Sequence, residues 1–316
     1  MHKLFNWDST DCGVSDRRYI IAVAVVAAAV AAWVLYTTLY SMQRGEAREG
    51  LRIVVTFSSL VEDVKALLCE GDEVLALVPS GIDPHEYSLT PQDVEKLKSS
   101  DLIVSTAHAP FELRIHELVK SGEISARLLE LSEVAGLIIL ENPATGQPNY
   151  HGILLDPRNY ASFVRNLSGT LSNLRPTCAA VYSEKASAIL SRLDELVSKA
   201  PRLNVAAVAV GPLAQYAVEW MGVRVKYLLV REHDLPAMPE DLAAAERALA
   251  TGEAALVIVV KGAEDTPAGA KALELAEKYG KPVIYVPTEL EPGSFLSKIA
   301  EVVEEAERLR AALGGG

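Results

Sequence analysis

The sequence predicts an α/β fold: two lobes with parallel sheets, bridged by a single long helix and preceded by a transmembrane helix. Three observations predict it. From residue 52 onward, short apolar runs alternate with helical patterns, the signature of parallel strands covered by helices on both faces. The alternation pauses over 160–199, where Gly169 and Pro176 are the main breakers, and it resumes after Pro201. No charged residue stands between 19 and 43.

The chain begins with a polar stretch, 1–18, that contains Lys3, Arg17 and Arg18. The uncharged run 19–43 exceeds the ~20 residues a bilayer-spanning helix needs. Trp33, Tyr36 and Tyr40 gather near its far end, where an interfacial aromatic belt belongs. More basic residues precede the run than follow it at Arg44 and Arg48, so 1–18 is expected in the cytoplasm and the rest of the chain outside. A cleaved signal peptide is the alternative, but no A-x-A site follows the run. Cys12 precedes the run and no cysteine follows it closely, which argues against a lipid-anchored cysteine. Residues 44–50 read as a polar linker.

The first lobe is expected over 51–159. Strands are expected at 52–57, 73–78, 102–105 and 134–140, with a helix at 59–68. Thr90, Pro91 and Asp93 supply an N-cap, a proline at the first helical position and an acid at the third, a helix start that runs to about 99. The linking region, 160–200, reads as two successive helices, the second from about 176 to 198. The second lobe, 201–316, has expected strands at 204–210, 223–229, 255–260 and 282–286. Its helices are expected at 213–221, 239–250, 268–279 and 294–313. Sites in such folds lie in loops beyond the carboxyl ends of the strands.

The formal net charge of −12 argues against a nucleic-acid partner, which selects basic surfaces. Cys12, Cys69 and Cys178 form no CxxC or zinc-ribbon spacing, so a cysteine-built metal site is not expected. Cys69 and Cys178 could pair in an oxidising space, or could be two buried small apolar residues. There is no GxxxxGK[ST], HExxH or GxSxG, and so no ATPase, metalloprotease or hydrolase signature.

One stretch carries most of the chemistry. After the strand at 73–78 come Gly81, Asp83, Pro84, His85, Tyr87, Thr90, Pro91, Asp93 and Asp101. This string resembles the first metal-binding motif of the cluster A-I solute-binding proteins, the zinc and manganese receptors of ABC importers. The likeness extends over 51–312, through Phe111-Glu112, Asp156-Pro157-Arg158-Asn159 and Arg175-Pro176. It implies two α/β lobes joined by one rigid helix, with a divalent metal held between them.

The resemblance implies four ligand positions, filled by imidazoles and carboxylates suited to zinc or manganese. His85 matches the first. His151 stands near the second, in a stretch one residue longer than the family pattern and lacking its tryptophan. The third position falls on Gly211, which has no side chain, so His108 or His233 would have to substitute. The fourth is offered by Glu289, with Glu291 beside it.

What the resemblance implies is therefore a monomeric, non-enzymatic, extracytoplasmic receptor. It would be membrane-anchored through its N-terminal helix and deliver Zn2+ or Mn2+ to ABC permease and ATPase subunits. A degenerate relative that has lost its metal and serves as a surface scaffold is the rival reading. A chelatase-like enzyme is a third, disfavoured by an outside location.

Overall fold

The structure, a computed structural model, describes residues 13–43, 49–79, 82, 86–232 and 235–313. The chain divides into two compact units, Met1–Glu49 and Gly50–Gly316. The first contains α1 (Gly13–Gln43), with apolar residues on every face rather than along one stripe. Its side chains from 20 to 36 are exposed. Among the described residues no helix is long and apolar enough to cross a membrane. The anchor expected at 19–43 extends beyond the side chains described, 20–36.

The second unit holds both lobes. In the first, β1 (Arg52–Phe57), α2 (Val61–Leu67), β2 (Glu73–Val78), α3 (Pro91–Lys98), β3 (Leu102–Ser105), α4 (Pro110–Lys120) and β4 (Arg127–Glu130) alternate. The strands are all parallel, in the order β2-β1-β3-β4. Two helices follow, α5 (Pro157–Leu174) and α6 (Ala179–Lys199), separated at Arg175-Pro176. The second lobe runs β5 (Ala206–Ala209), α7 (Ala214–Val218), β6 (Arg224–Leu228), α8 (Pro239–Thr251), β7 (Leu256–Val260), α9 (Pro267–Lys278), β8 (Val283–Val286) and α10 (Phe295–Leu313). Its parallel order, β6-β5-β7-β8, repeats that of the first lobe. In both sheets the direction of winding reverses beside the first strand, and a crevice opens there beyond the strand ends.

One expected strand is corrected. Residues 134–140 form turns and irregular chain, and the fourth strand is Arg127–Glu130. Leu137 and Leu140 explain the apolar pattern: they pack on the core from a loop. Asn159 satisfies that loop's backbone, its Oδ1 accepting from Ile138 N at 2.7 Å and its Nδ2 donating to Ile138 O at 2.9 Å.

The helix start at Thr90 forms as expected. Thr90 Oγ1 accepts from Asp93 N at 3.2 Å, and Asp93 Oδ2 accepts from Thr90 N at 3.0 Å. Tyr87 OH also donates to Asp93, at 2.7 Å. Burial pushes the Asp93 carboxyl up, but bonds from Thr90, Tyr87 and Lys96 outweigh it and hold the group at about 2.

Cys69 and Cys178 are joined as a disulfide with Cα atoms 6.2 Å apart, which resolves the two readings left open by the sequence. Beside it the side chain of Asp72 is buried. It accepts from Leu51 N, Cys69 N, Arg175 Nη1 and Tyr182 OH at 2.6–2.9 Å. Burial raises its pKa, and these four donors outweigh burial and lower it. The knot ties the start of β1 to the start of α6. One apolar core cluster runs through both lobes and the two linking helices, including Ile53, Tyr160, Phe163, Tyr182, Ala207 and Tyr216, and each lobe adds a cluster of its own, around Ile103 in the first and Val257 in the second.

Candidate functional site

A cavity of about 820 Å3 lies at the carboxyl ends of both sheets. Loops after β1, β2, β3, β7 and β8 line it, together with the segment from Tyr150 to Leu154. This is where the topology predicts a site. Four of the sequence-derived candidates reach it: His108, His151, Glu289 and Glu291. His85 and His233 lie outside the described residues. Gly211 is not among the lining residues, and a Cβ built on it would meet no atom within 4 Å.

His108 is placed by the loop after β3. Ala107 has a left-handed φ of 59°, a conformation that strains a residue with a Cβ. Glu112, fully buried at the start of α4, holds the loop there. Its carboxylate accepts from Ser105 Oγ, Thr106 N, Thr106 Oγ1, His108 N and Ala109 N, at 2.6–3.0 Å. Five donors leave this buried acid fully satisfied.

His151 is placed chiefly by the second lobe. Asn149 Nδ2 donates to Pro212 O at 2.9 Å and to Gln215 Oε1 at 2.8 Å, while Asn149 Oδ1 accepts from His151 N at 3.0 Å. Tyr216 OH donates to Asn149 O at 2.6 Å and accepts from Leu140 N at 2.9 Å. The left-handed turn at Gly152, φ 72°, then directs the chain into α5, and a Cβ there would fall 2.9 Å from Leu213 Cγ. The rings of His108 and His151 meet edge to face with centroids 4.7 Å apart.

Glu289 follows β8. Its Oε2 accepts from Gly152 N at 3.1 Å, adjacent to His151. Burial raises its pKa, partly offset by His151 and the Gly152 amide. Lys298 on α10, itself buried, donates to Glu289 O at 2.9 Å. Its pKa is lowered, mainly by burial and against the pull of Asp63, Glu289 and Glu291. Glu291 Oε2 is buried and finds no hydrogen-bond partner among the described residues.

Among the described residues no group of three or more His, Cys, Asp or Glu is already disposed to hold a metal. The imidazoles and carboxylates are gathered at one cavity, and the buried Glu291 oxygen lacks a partner. Both features fit a cation, and the donor set is one that zinc and manganese accept. Two residues here carry no sequence signal of their own, Lys298 as a buried cation and Glu232; Glu112 entered the sequence reading only within the Phe111-Glu112 pair, without its part as loop organiser. Glu232 Oε2 stands 2.8 Å from His151 Nε2, across a separation of 81 residues.

Comparison with known proteins gives the class. The sequence profile of the ZnuA family, zinc-uptake complex component A periplasmic, matches residues 53–305. The chain belongs to that family. It is 28% identical over 148 residues to the manganese-binding lipoprotein MntA of Halalkalibacterium halodurans, a match covering 47% of this chain and 48% of that one. It is 25% identical over 158 residues to the iron ABC transporter substrate-binding lipoprotein MtsA of Streptococcus pyogenes serotype M1, covering 48% and 51%. The matches thus span about half the length of these curated relatives. Among solved structures, FpvC of Pseudomonas aeruginosa in complex with Mn2+ superposes with a TM-score of 0.66 at 19% identity, covering 84% of this chain and 99% of that one. A Cd-bound periplasmic metal binding protein from candidatus Liberibacter asiaticus gives 0.64 at 16%, covering 82% and 99%. These structures share the fold, two α/β lobes with parallel sheets.

Proposed function

We propose that this chain is the extracytoplasmic receptor of an ABC importer, capturing a divalent transition metal in the cavity between its lobes. One observation carries the reading. A single cavity at the carboxyl ends of both sheets gathers His108, His151, Glu289 and Glu291, in a chain whose family is zinc-uptake component A. His85, on sequence grounds, and His151 and Glu289, on their placement, are the ligands. His108 stands in for the side chain that Gly211 lacks, and Glu291 assists from the same loop as Glu289. The relatives are named for manganese and iron, the family for zinc, and the metal is zinc or manganese in this reading. Capture needs no chemical step, so the site binds and releases rather than catalyses.

The anchor belongs to the same reading. Residues 19–43 hold no charge, and α1 is apolar all round with exposed side chains, an arrangement suited to lipid rather than water. The domains then follow as cytoplasmic tail 1–18, anchor 19–43, linker 44–50, lobes 51–159 and 201–316, and linking helices 160–200. The Cys69–Cys178 disulfide suits an oxidising compartment. The partners are an ABC permease and its ATPase.

The test is elemental analysis of protein purified from membranes without a His-tag. About one equivalent of zinc or manganese, with an unprocessed N-terminus, is expected. Metal-free protein that takes up none on incubation would support the scaffold reading instead, and a soluble protein beginning near residue 45 would remove the anchor.

A further inference from the structure

Glu232 has no role in the site described so far, yet its side chain is fixed at both oxygens. It lies in the loop after β6, and Arg231 pins that loop to α8 by donating to Asp241 and Glu240 at 2.6–3.0 Å. Asn142, fully buried, donates from Nδ2 to Arg231 O at 2.8 Å and to Glu232 Oε1 at 3.1 Å. The other oxygen, Oε2, faces His151 Nε2 at 2.8 Å. A half-exposed surface acid needs neither partner, since water would satisfy it.

The contact has a chemical consequence. An ionised carboxylate only accepts, so the proton of the His151–Glu232 bond belongs to Nε2. In the neutral imidazole the other nitrogen, Nδ1, then carries the unshared pair. His151 lines the cavity and Glu232 does not. The acid therefore acts on the cavity through the ring rather than by facing it. Resting on the metal-receptor reading, we propose that Glu232 is a positioning residue that locks His151 in its Nε2–H form and presents Nδ1 to the metal.

The arrangement has a general basis. A ligating histidine that donates its second N–H to a carboxylate is fixed in tautomer and ring orientation and made more basic, and loss of such a partner typically costs ~10–100-fold in metal affinity. Here the carboxylate comes from the second lobe, while His151 sits near the end of the first, ahead of α5. Glu232 thus gives that lobe a hold on His151.

The test uses the full chain. Metal-free protein labelled with 15N in its histidines is studied by long-range proton–nitrogen NMR at about pH 8, above the usual imidazole range. His151 should show a protonated Nε2 and a bare Nδ1. Glu232→Ala should mix the tautomers and weaken zinc or manganese binding ~10–100-fold by calorimetry. The isosteric Glu232→Gln offers one acceptor to two donors, so its amide must face either Asn142 Nδ2 or His151 Nε2; it too should mix the tautomers, with a smaller loss of affinity than Glu232→Ala. A protonated Nδ1 in wild type, or a Glu232→Ala affinity within about twofold of wild type, overturns the proposal. So does complete loss of binding in Glu232→Ala with the tautomer unchanged, which would make Glu232 a direct ligand. If these fail while His85→Ala still abolishes binding, the receptor reading survives. If wild type binds no metal at all, both fall together.

Discussion

Asp63 on α2 is buried, accepting from Tyr160 OH at 2.7 Å and from Phe295 N at 3.1 Å. Burial pushes its carboxyl up from 3.8 to about 6, against the pull of these two donors and of Lys298. Folding therefore prefers the protonated acid. Asp63's favourable contribution is complete below about pH 3.8 and is lost as the pH rises through about 6. Wild type and Asp63→Asn should be compared by urea denaturation from pH 4 to 7. Their difference in unfolding free energy should move against wild type by on the order of 2–3 kcal/mol over that range. A difference that stays flat would show that Asp63 keeps its charge in the fold. Glu112 offers a second residue-level test. Glutamine would place an amide donor among five donors, leaving buried groups unpaired, so Glu112→Gln should lose ~2–4 kcal/mol of stability. It should also free the loop that carries His108, seen as faster amide exchange at Thr106 and His108. Unchanged melting and exchange would mean that the loop holds its strained turn without the acid.

At the scale of elements, the Cys69–Cys178 bridge and the Asp72 knot hold α6 to the first lobe. The bridge spans a sequence separation of 109 residues. Closing a loop of that size restricts the unfolded chain, so Cys69→Ala with Cys178→Ala should cost ~2–5 kcal/mol in denaturant unfolding. No change in midpoint would mean that the Asp72 contacts alone secure this junction. The alternation of strands and helices was legible because the central strands are apolar runs buried on both faces, such as Ile53–Val55 or Val257–Val259. Arg127–Glu130 escaped notice because it is four residues long with a charge at each end. The loop at 134–140 was mistaken for a strand because its leucines pack on the core without joining a sheet. His151 and Glu289 were named from the family likeness and both line the cavity, while the helix start at Thr90 was legible from its own short pattern. Glu232 and Lys298 were not, since their contacts join residues distant in sequence or use a backbone atom.

The whole second unit is built as two copies of one winding pattern sharing a core, with polar ties between the lobes at Asp63–Phe295 and at Tyr216–Asn149. Such a frame favours small adjustments of loops over wide closure. A metal would bind the folded cavity and not the unfolded chain, so it should raise thermal stability, by ~2.7 kcal/mol at a hundredfold excess over Kd. The most direct measurement is calorimetric titration of zinc and of manganese into wild type, His85→Ala and Gly211→His at neutral pH. Binding of one metal per chain to wild type is expected, with binding lost in His85→Ala and tightened in Gly211→His, whose new side chain enters open space. No uptake by wild type, or equal binding by His85→Ala, would contradict the account.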